Sequence, residues 1–294
     1  MIIRKLENFC TVDDNFNPIF RVSSRDVYGK KPIEVGSYAG LLKAISIVSY
    51  YNRELHLLFR GQKKEYLDRS NKPMLRPSIF RNDHNRISLS ETSYKARCES
   101  LLSYSRSLIK EICNLNDHEK KELKTRKHIM GTARLKKFEP LQWSILQHYG
   151  VCETPLLDTT QSLPIACSFA LANQTSGCAY LYVIGVPYLT DSVSYSANEG
   201  LLTTRLLSAC PPEARRPHLQ EGYLAGSFPV TKEKPKNTAD YDFRNRLIAR
   251  FRIPNSEQFW DCGQTIIPLE HLMPESDFFL DIIKRVKTIS TNPI

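Results

Sequence analysis

Two short apolar runs, Glu54-Leu55-His56-Leu57-Leu58-Phe59-Arg60-Gly61 and Ala179-Tyr180-Leu181-Tyr182-Val183-Ile184-Gly185-Val186, constrain this chain more than any other feature. Each is of strand length and nearly continuous in apolar side chains, the pattern of a strand buried inside a sheet. Ahead of the first, Leu41, Ala44, Ile45 and Val48 recur at i, i+3, i+4 and i+7, and Ser37 stands where an N-cap belongs. That spacing predicts a helix from Ser37 to about Asn52. Further strands are expected at 154–159, 201–208, 223–228 and 247–254, and helices at 90–114, 117–130, 140–149, 163–173 and 275–287. Because the strands cluster late and do not alternate regularly with helices, the expected fold class is α+β.

Length permits one large domain or two modest ones, and 41% hydrophobic with 24% charged residues is an ordinary globular composition. Residues 1–34, polar and turn-rich with Pro18 and Pro32, read as an irregular lead-in. Residues 35–294 read as a single domain with a helical insertion at about 87–138. Arg4, Lys5 and Glu7 interrupt the apolar start, so no secretory signal is expected. The apolar stretches around 41–51 and 163–172 fall short of the roughly 20 residues that cross a bilayer. A cytoplasmic protein with no membrane partner is expected. The eight cysteines show no C-x-x-C pair and no zinc spacing, so they read as small hydrophobes, with no metal site.

Charge is unevenly placed. Residues 60–140 hold 20 Lys/Arg against 10 Asp/Glu, a balance of 20 − 10 = +10 that equals the net charge of the whole chain. A basic stretch of this kind attracts polyanions such as RNA or DNA. The plainer alternative is a solvated helix face, as in the run from Lys120 to Lys127.

Several residues are candidates for chemistry. Arg60 closes an apolar strand, so its guanidinium must meet either a buried carboxylate, with Asp158 the first choice, or an anion held in a cleft. Gly61 would let a backbone approach closely. Asp158 follows Leu156 and Leu157 near the end of a buried strand and requires a partner. Thr159 and Thr160 either hydrogen-bond a ribose or an amide, or cap the next helix. Gln147, His148 and Tyr149 precede Gly150, a helix-ending signal. A histidine there suits proton transfer near neutrality, and a tyrosine suits stacking on a ring or packing in a core.

Phe59-Arg60-Gly61-Gln62 followed by Leu75-Arg76-Pro77-Ser78-Ile79-Phe80-Arg81 resembles the opening signature of FRG domains. Gln147-His148-Tyr149-Gly150, then Thr154-Pro155-Leu156-Leu157-Asp158-Thr159, then Pro164-Ile165-Ala166-Cys167-Ser168-Phe169-Ala170 is similar to the family's later blocks. A weaker third signature, Arg216-Pro217-His218-Leu219-Gln220-Glu221-Gly222, has Glu221 where the family usually has Gln. FRG domains in turn resemble the ADP-ribosyltransferase fold, which implies a mixed or antiparallel split sheet with a helical basic insertion. The resemblance implies NAD as substrate, held by Arg60, Gly61, Gln62, Arg81, Tyr149, Asp158, Thr159 and Thr160. It implies Glu221, Gln220 and His148 as catalytic residues, with Arg216 a further phosphate contact. The implied activity is ADP-ribosyl transfer to a macromolecular acceptor, protein or nucleic acid, with RNA or DNA held by the basic 60–140 region, in the manner of a toxin or phage-defence effector. Two alternatives stand beside it: a non-catalytic nucleotide- or nucleic-acid-binding module, and a nuclease-like toxin using His148 and Asp158 without NAD.

Overall fold

The computed structural model of this chain describes residues 2–82, 89–115, 132–173, 177–211, 213–227 and 233–291. The chain begins with β1 (Phe9–Val12) and β2 (Pro18–Val22), an antiparallel pair of their own, then α1 (Ser24–Gly29) and β3 (Ile33–Glu34). There follow α2 (Tyr38–Tyr51), β4 (Leu55–Gln62), α3 (Glu91–Cys113), α4 (Thr132–Lys137), α5 (Glu139–His148), β5 (Leu156–Thr160) and α6 (Leu163–Leu171). The second half holds β6 (Cys178–Pro187), β7 (Val193–Ser196), β8 (Leu201–Arg205), α7 (Leu206–Ala209), α8 (Arg215–Leu219) and β9 (Gly222–Ser227). It ends with β10 (Leu247–Pro254), α9 (Leu269–Leu272) and α10 (Phe278–Thr291).

Local chemistry sets the boundaries of these helices. The Ser37 side chain accepts from the Gly40 amide at the start of α2, and the Ser90 side chain from the Ser93 amide at the start of α3. Helix α5 stops as expected at Gly150, whose φ of 62° lies in the left-handed region that ends helices.

Eight strands form one sheet in the order β3-β10-β6-β4-β5-β9-β8-β7. Every neighbouring pair is antiparallel except β3 with β10, so the sheet is mixed and the fold is α+β, as expected. Strand β4 pairs with β6 along its whole length, from Leu55↔Pro187 to Gln62↔Tyr180. It meets β5 at one Cα pair, Phe59↔Thr160. The sheet is continuous, with β10-β6-β4 and β5-β9-β8 joined across a narrow junction.

The buried apolar side chains fall into two clusters. One gathers Leu58, Phe59, Val183 and Phe251 with Leu41 and Val48 of α2 and Ala166 and Ala170 of α6. The other gathers Leu101 and Leu108 of α3, Leu146 of α5, Leu202, Leu224 and Phe279 of α10. Each such side chain contributes about 1.5 to 3 kcal/mol when buried, so α3, polar over most of its surface, is held by tertiary packing.

Two expectations need correction, at the N-terminus and after β8. Residues 1–34 are not an irregular lead-in: Ile3, Leu6, Phe9, Val12, Val22 and Val27 are buried in the first cluster, and β3 is a strand of the main sheet. Within the insertion expected at about 87–138, α3 packs against α5 and α10 and shares their core. The helix expected at 117–130 lies outside the described residues. The strand expected at 201–208 ends at Arg205, where the chain turns into α7.

Helix α6 lies directly on β4 at Gly61. A Cβ there would stand 1.9 Å from the Ala166 carbonyl oxygen and 2.9 Å from the Ala170 Cβ, closer than non-bonded atoms come. Replacing Gly61 with Ala is expected to lower the unfolding free energy by about 3 kcal/mol or more through overpacking, read as a lower midpoint in urea denaturation.

Candidate functional site

Beyond the Phe59–Thr160 pair, β4 and β5 part, and a cavity of about 310 Å³ opens between them. Strand β4 contributes Phe59, Arg60 and Gly61, with Lys63 just past its end, and β5 contributes Asp158, Thr159 and Thr160. The C-terminal end of α5 adds Gln147 and His148 with Gly150 just beyond, α6 adds Ala166 and Phe169, and Arg216, Gln220 and Met273 complete the wall.

Arg60 donates from Nη1 to the main-chain oxygen of Asp158 at 2.6 Å. The expected salt bridge between the two side chains is not formed. Arg60 Nε is buried without a partner, as is Nε of Arg216 across the cavity. Burial pulls the Arg60 guanidinium below its ordinary pKa, against the pull of the nearby Asp158 carboxylate. An arginine still stays protonated, so the cavity carries fixed positive charge.

The Asp158 carboxylate has other partners. Gln147 Nε2 donates to Oδ2 at 2.8 Å, and His148 Nδ1 lies 3.4 Å from Oδ1. The Gln147 amide is itself fixed, because its Oε1 accepts from the Thr154 hydroxyl at 2.6 Å and from Ser78 at 3.3 Å. Burial pushes the Asp158 carboxyl up, but the hydrogen bonds from His148 and Gln147, with Arg60 nearby, outweigh it and hold the group below the usual aspartate value. The side chain keeps 36% exposure although it sits deep in the fold, because it faces the cavity. His148 is almost fully buried, and its Nε2 has no partner. With Nδ1 engaged by a carboxylate, that free nitrogen is placed to exchange a proton with a bound molecule.

The two threonines divide their roles. Thr159 donates to the Tyr223 carbonyl at 3.1 Å, and the Thr160 hydroxyl accepts from the Ser162 amide at 3.0 Å, supporting the turn into α6. Gln220 lines the cavity and donates from Nε2 to the Leu272 carbonyl at 2.8 Å. Gly61 also lines it, yet its missing side chain makes room for α6.

Four expected site residues stand elsewhere. Glu221, one residue past Gln220, has a φ of 43°, and this left-handed turn carries its carboxylate away from the cavity lining to accept from Gln161 Nε2 at 2.9 Å. Tyr149 is buried in the second cluster, where its hydroxyl donates to Asp277 Oδ1 at 2.5 Å, and it is absent from the cavity lining. Gln62 is buried away from the cavity, with Oε1 unpartnered. Arg81 lies outside the lining and donates from Nε to the Arg76 carbonyl at 3.0 Å.

Asp277 and Met273 carried no signal in the sequence. Asp277 accepts the Tyr149 hydroxyl and, at 2.7 Å, the Arg216 amide, while the Arg216 guanidinium lies 5.4 Å from the Tyr149 ring centroid. It thereby fixes the segment that presents Arg216. Lys63 and Phe169 were within reach of the sequence, one just beyond the Phe-Arg-Gly-Gln block and the other inside the Ala-x-x-Phe-Ala helix. The basic 60–140 region is only partly a surface. Arg76 is buried against Asp242 at 3.1 Å, and Arg97 donates to the carbonyls of Ser78, Ile79 and Arg81. Among the described residues, no group of three His, Cys, Asp or Glu side chains is placed to hold a metal ion. No described helix is long and apolar enough to cross a membrane.

Residues 55–177 match the family model described as FRG domain. No curated protein and no solved structure was found to match the chain.

The depressed Asp158 pKa makes a testable claim on stability. A carboxyl lowered in the folded state stabilises fully above the ordinary aspartate pKa, and this contribution is lost as pH falls through the folded value. Asp158→Asn should therefore destabilise the protein near neutrality, and the gap to the parent should close as urea unfolding is repeated down to about pH 3. A gap that stays constant with pH would refute the assignment.

Proposed function

We propose, from an FRG domain at residues 55–177 whose motifs meet around one cavity, that this chain is an ADP-ribosyltransferase-like enzyme using NAD as its substrate. The observation that carries the reading is convergence. Arg60, the Asp158-Thr159-Thr160 strand and Gln220 come from three separated stretches of sequence, yet all line the same hollow. Its volume lies at the small end of the range for small-molecule sites. The two unpartnered guanidinium nitrogens suit a pyrophosphate, because a buried cation with free donors is stabilised by an anion.

ADP-ribosyl transfer breaks the bond between ribose C1′ and the nicotinamide nitrogen and forms one between C1′ and an acceptor nucleophile, with nicotinamide leaving. Positive charge grows on the ribose as the bond breaks, and an ionised carboxylate nearby stabilises it. In this cavity that carboxylate is Asp158, already held ionised. Arg60 and Arg216 would hold the phosphates, Gln220 would orient the ribose, and His148 Nε2 would accept the proton of the macromolecular acceptor.

A second reading is favoured by one specific observation, the pairing of His148 with Asp158 beside fixed cations. The same groups suit phosphodiester hydrolysis without NAD, with His148 as the base and the guanidinium groups on the phosphate.

Incubation with labelled NAD, alone and with RNA, DNA or protein extract, separates the two. Transferase action is expected as nicotinamide release with label on the acceptor, reduced about 100-fold or more in Arg60→Ala and in Asp158→Asn. Glu221→Gln should retain it. Cleavage of RNA or DNA without NAD, lost in His148→Ala, selects the hydrolytic reading. NAD binding with neither reaction identifies a binding module.

A further inference from the structure

A second hollow lies on the other side of the Phe59–Thr160 junction. Strands β4 and β5 run antiparallel, so Arg60 and Gly61 stand beside Asp158 and Thr159, whereas His56 and Gln161 lie in the opposite direction along the strands. There a cavity of about 490 Å³ is lined by His56, Gln161, Tyr188, Arg205, Ser208 and Tyr223 among others.

Arg205 is the residue without an explanation in the fold. It is half-buried at the end of β8, its Nε is buried with no partner, and among the described residues its guanidinium forms no ion pair. A half-buried guanidinium with one shielded donor left without a hydrogen-bond partner is a ready counter-charge for an anion. His56 faces the same space with Nε2 buried and unpartnered, its ring 5.5 Å from that of Tyr223. Burial and the neighbouring Arg205 hold the His56 pKa below its ordinary value, so the fixed charge is that of Arg205.

The nearby acidic groups form no ion pair with Arg205 among the described residues. The Tyr223 hydroxyl donates to Gln161 Oε1 at 2.8 Å, and Gln161 in turn donates to Glu221 at 2.9 Å. This relay gives the Glu221 carboxylate an amide partner, and it forms no ion pair with Arg205 among the described residues. Asp191 accepts from the Ser192 amide at 2.6 Å. At the mouth, Tyr188 is 66% exposed, a large aromatic surface left in water beside an anion-seeking site.

We infer that this second hollow binds a nucleotide unit, with its phosphate against Arg205 and His56 and its base on the Tyr188 ring. A guanidinium recognises phosphate through paired donors, and an exposed aromatic takes any base by stacking. The source is either a free mononucleotide or one residue of a single strand. This site makes no use of NAD chemistry, and it stands or falls independently of the first cavity.

Equilibrium binding to the full chain decides it, with a nucleoside 5′-monophosphate, a short single-stranded oligonucleotide, inorganic phosphate and a phosphoserine peptide as probes. Arg205→Ala should weaken nucleotide binding about tenfold or more. Tyr188→Ala, at an exposed position that leaves the core intact, should weaken it by a similar factor while sparing phosphate. Tighter binding of the oligonucleotide identifies a strand as the source, and equal binding identifies the mononucleotide. Unchanged affinity in Arg205→Ala, absence of nucleotide binding, or a phosphoserine peptide that binds as tightly as the nucleotide would overturn the proposal. Nucleotide binding that is lost in Arg60→Ala and kept in Arg205→Ala would place the ligand in the first cavity and overturn it equally.

Discussion

The hydrogen bond from the Arg60 guanidinium to the Asp158 carbonyl governs the architecture of the site. Two strands that part within a sheet leave main-chain groups facing the gap, and buried groups of that kind need partners. With β4 and β5 joined at one pair, a side chain supplies the donor that a continuous ladder would have given. The gap can then persist as a cavity without orphaning that carbonyl. Because the donor is a cation, the same bond fixes positive charge inside the hollow, and the Asp158 carboxylate turns away to Gln147 and His148.

Much of this was legible in the sequence because the signals are local. The spacing of Leu41, Ala44, Ile45 and Val48 with Ser37 specified α2, and the apolar runs around Phe59 and Val183 specified the two central strands. The first 34 residues were not legible for the opposite reason. Ile3 and Leu6 donate their amides to Asp240 and Asn245, partners more than two hundred residues away, so no period within the segment announces its structure. The left-handed backbone at Asn8, Phe16 and Arg21 obscures the pattern further, since these residue positions break the alternation of a strand.

At the site, neighbouring residues separate according to which way the chain turns. His148 faces the cavity and Tyr149 the core; Gln220 faces the cavity and Glu221 the relay through Gln161. Motif order brings each block to the right place, but a single dihedral at Glu221 decides which of two adjacent polar side chains lines the hollow. Chemical type alone favoured the carboxylate. Likewise, the glycine of the Phe-Arg-Gly block reads as an opening for a ligand, yet the carbonyl of Ala166 occupies the space its side chain would need.

Asp277 ties the last helix to the wall of the cavity. One carboxylate takes the Tyr149 hydroxyl, the Arg216 amide and the amides of Phe279 and Leu280 that open α10. Helix α10 packs in turn along α3, which belongs to the basic half of the sequence. The last helix and the backbone that presents a cavity arginine thus share one carboxylate as their common anchor.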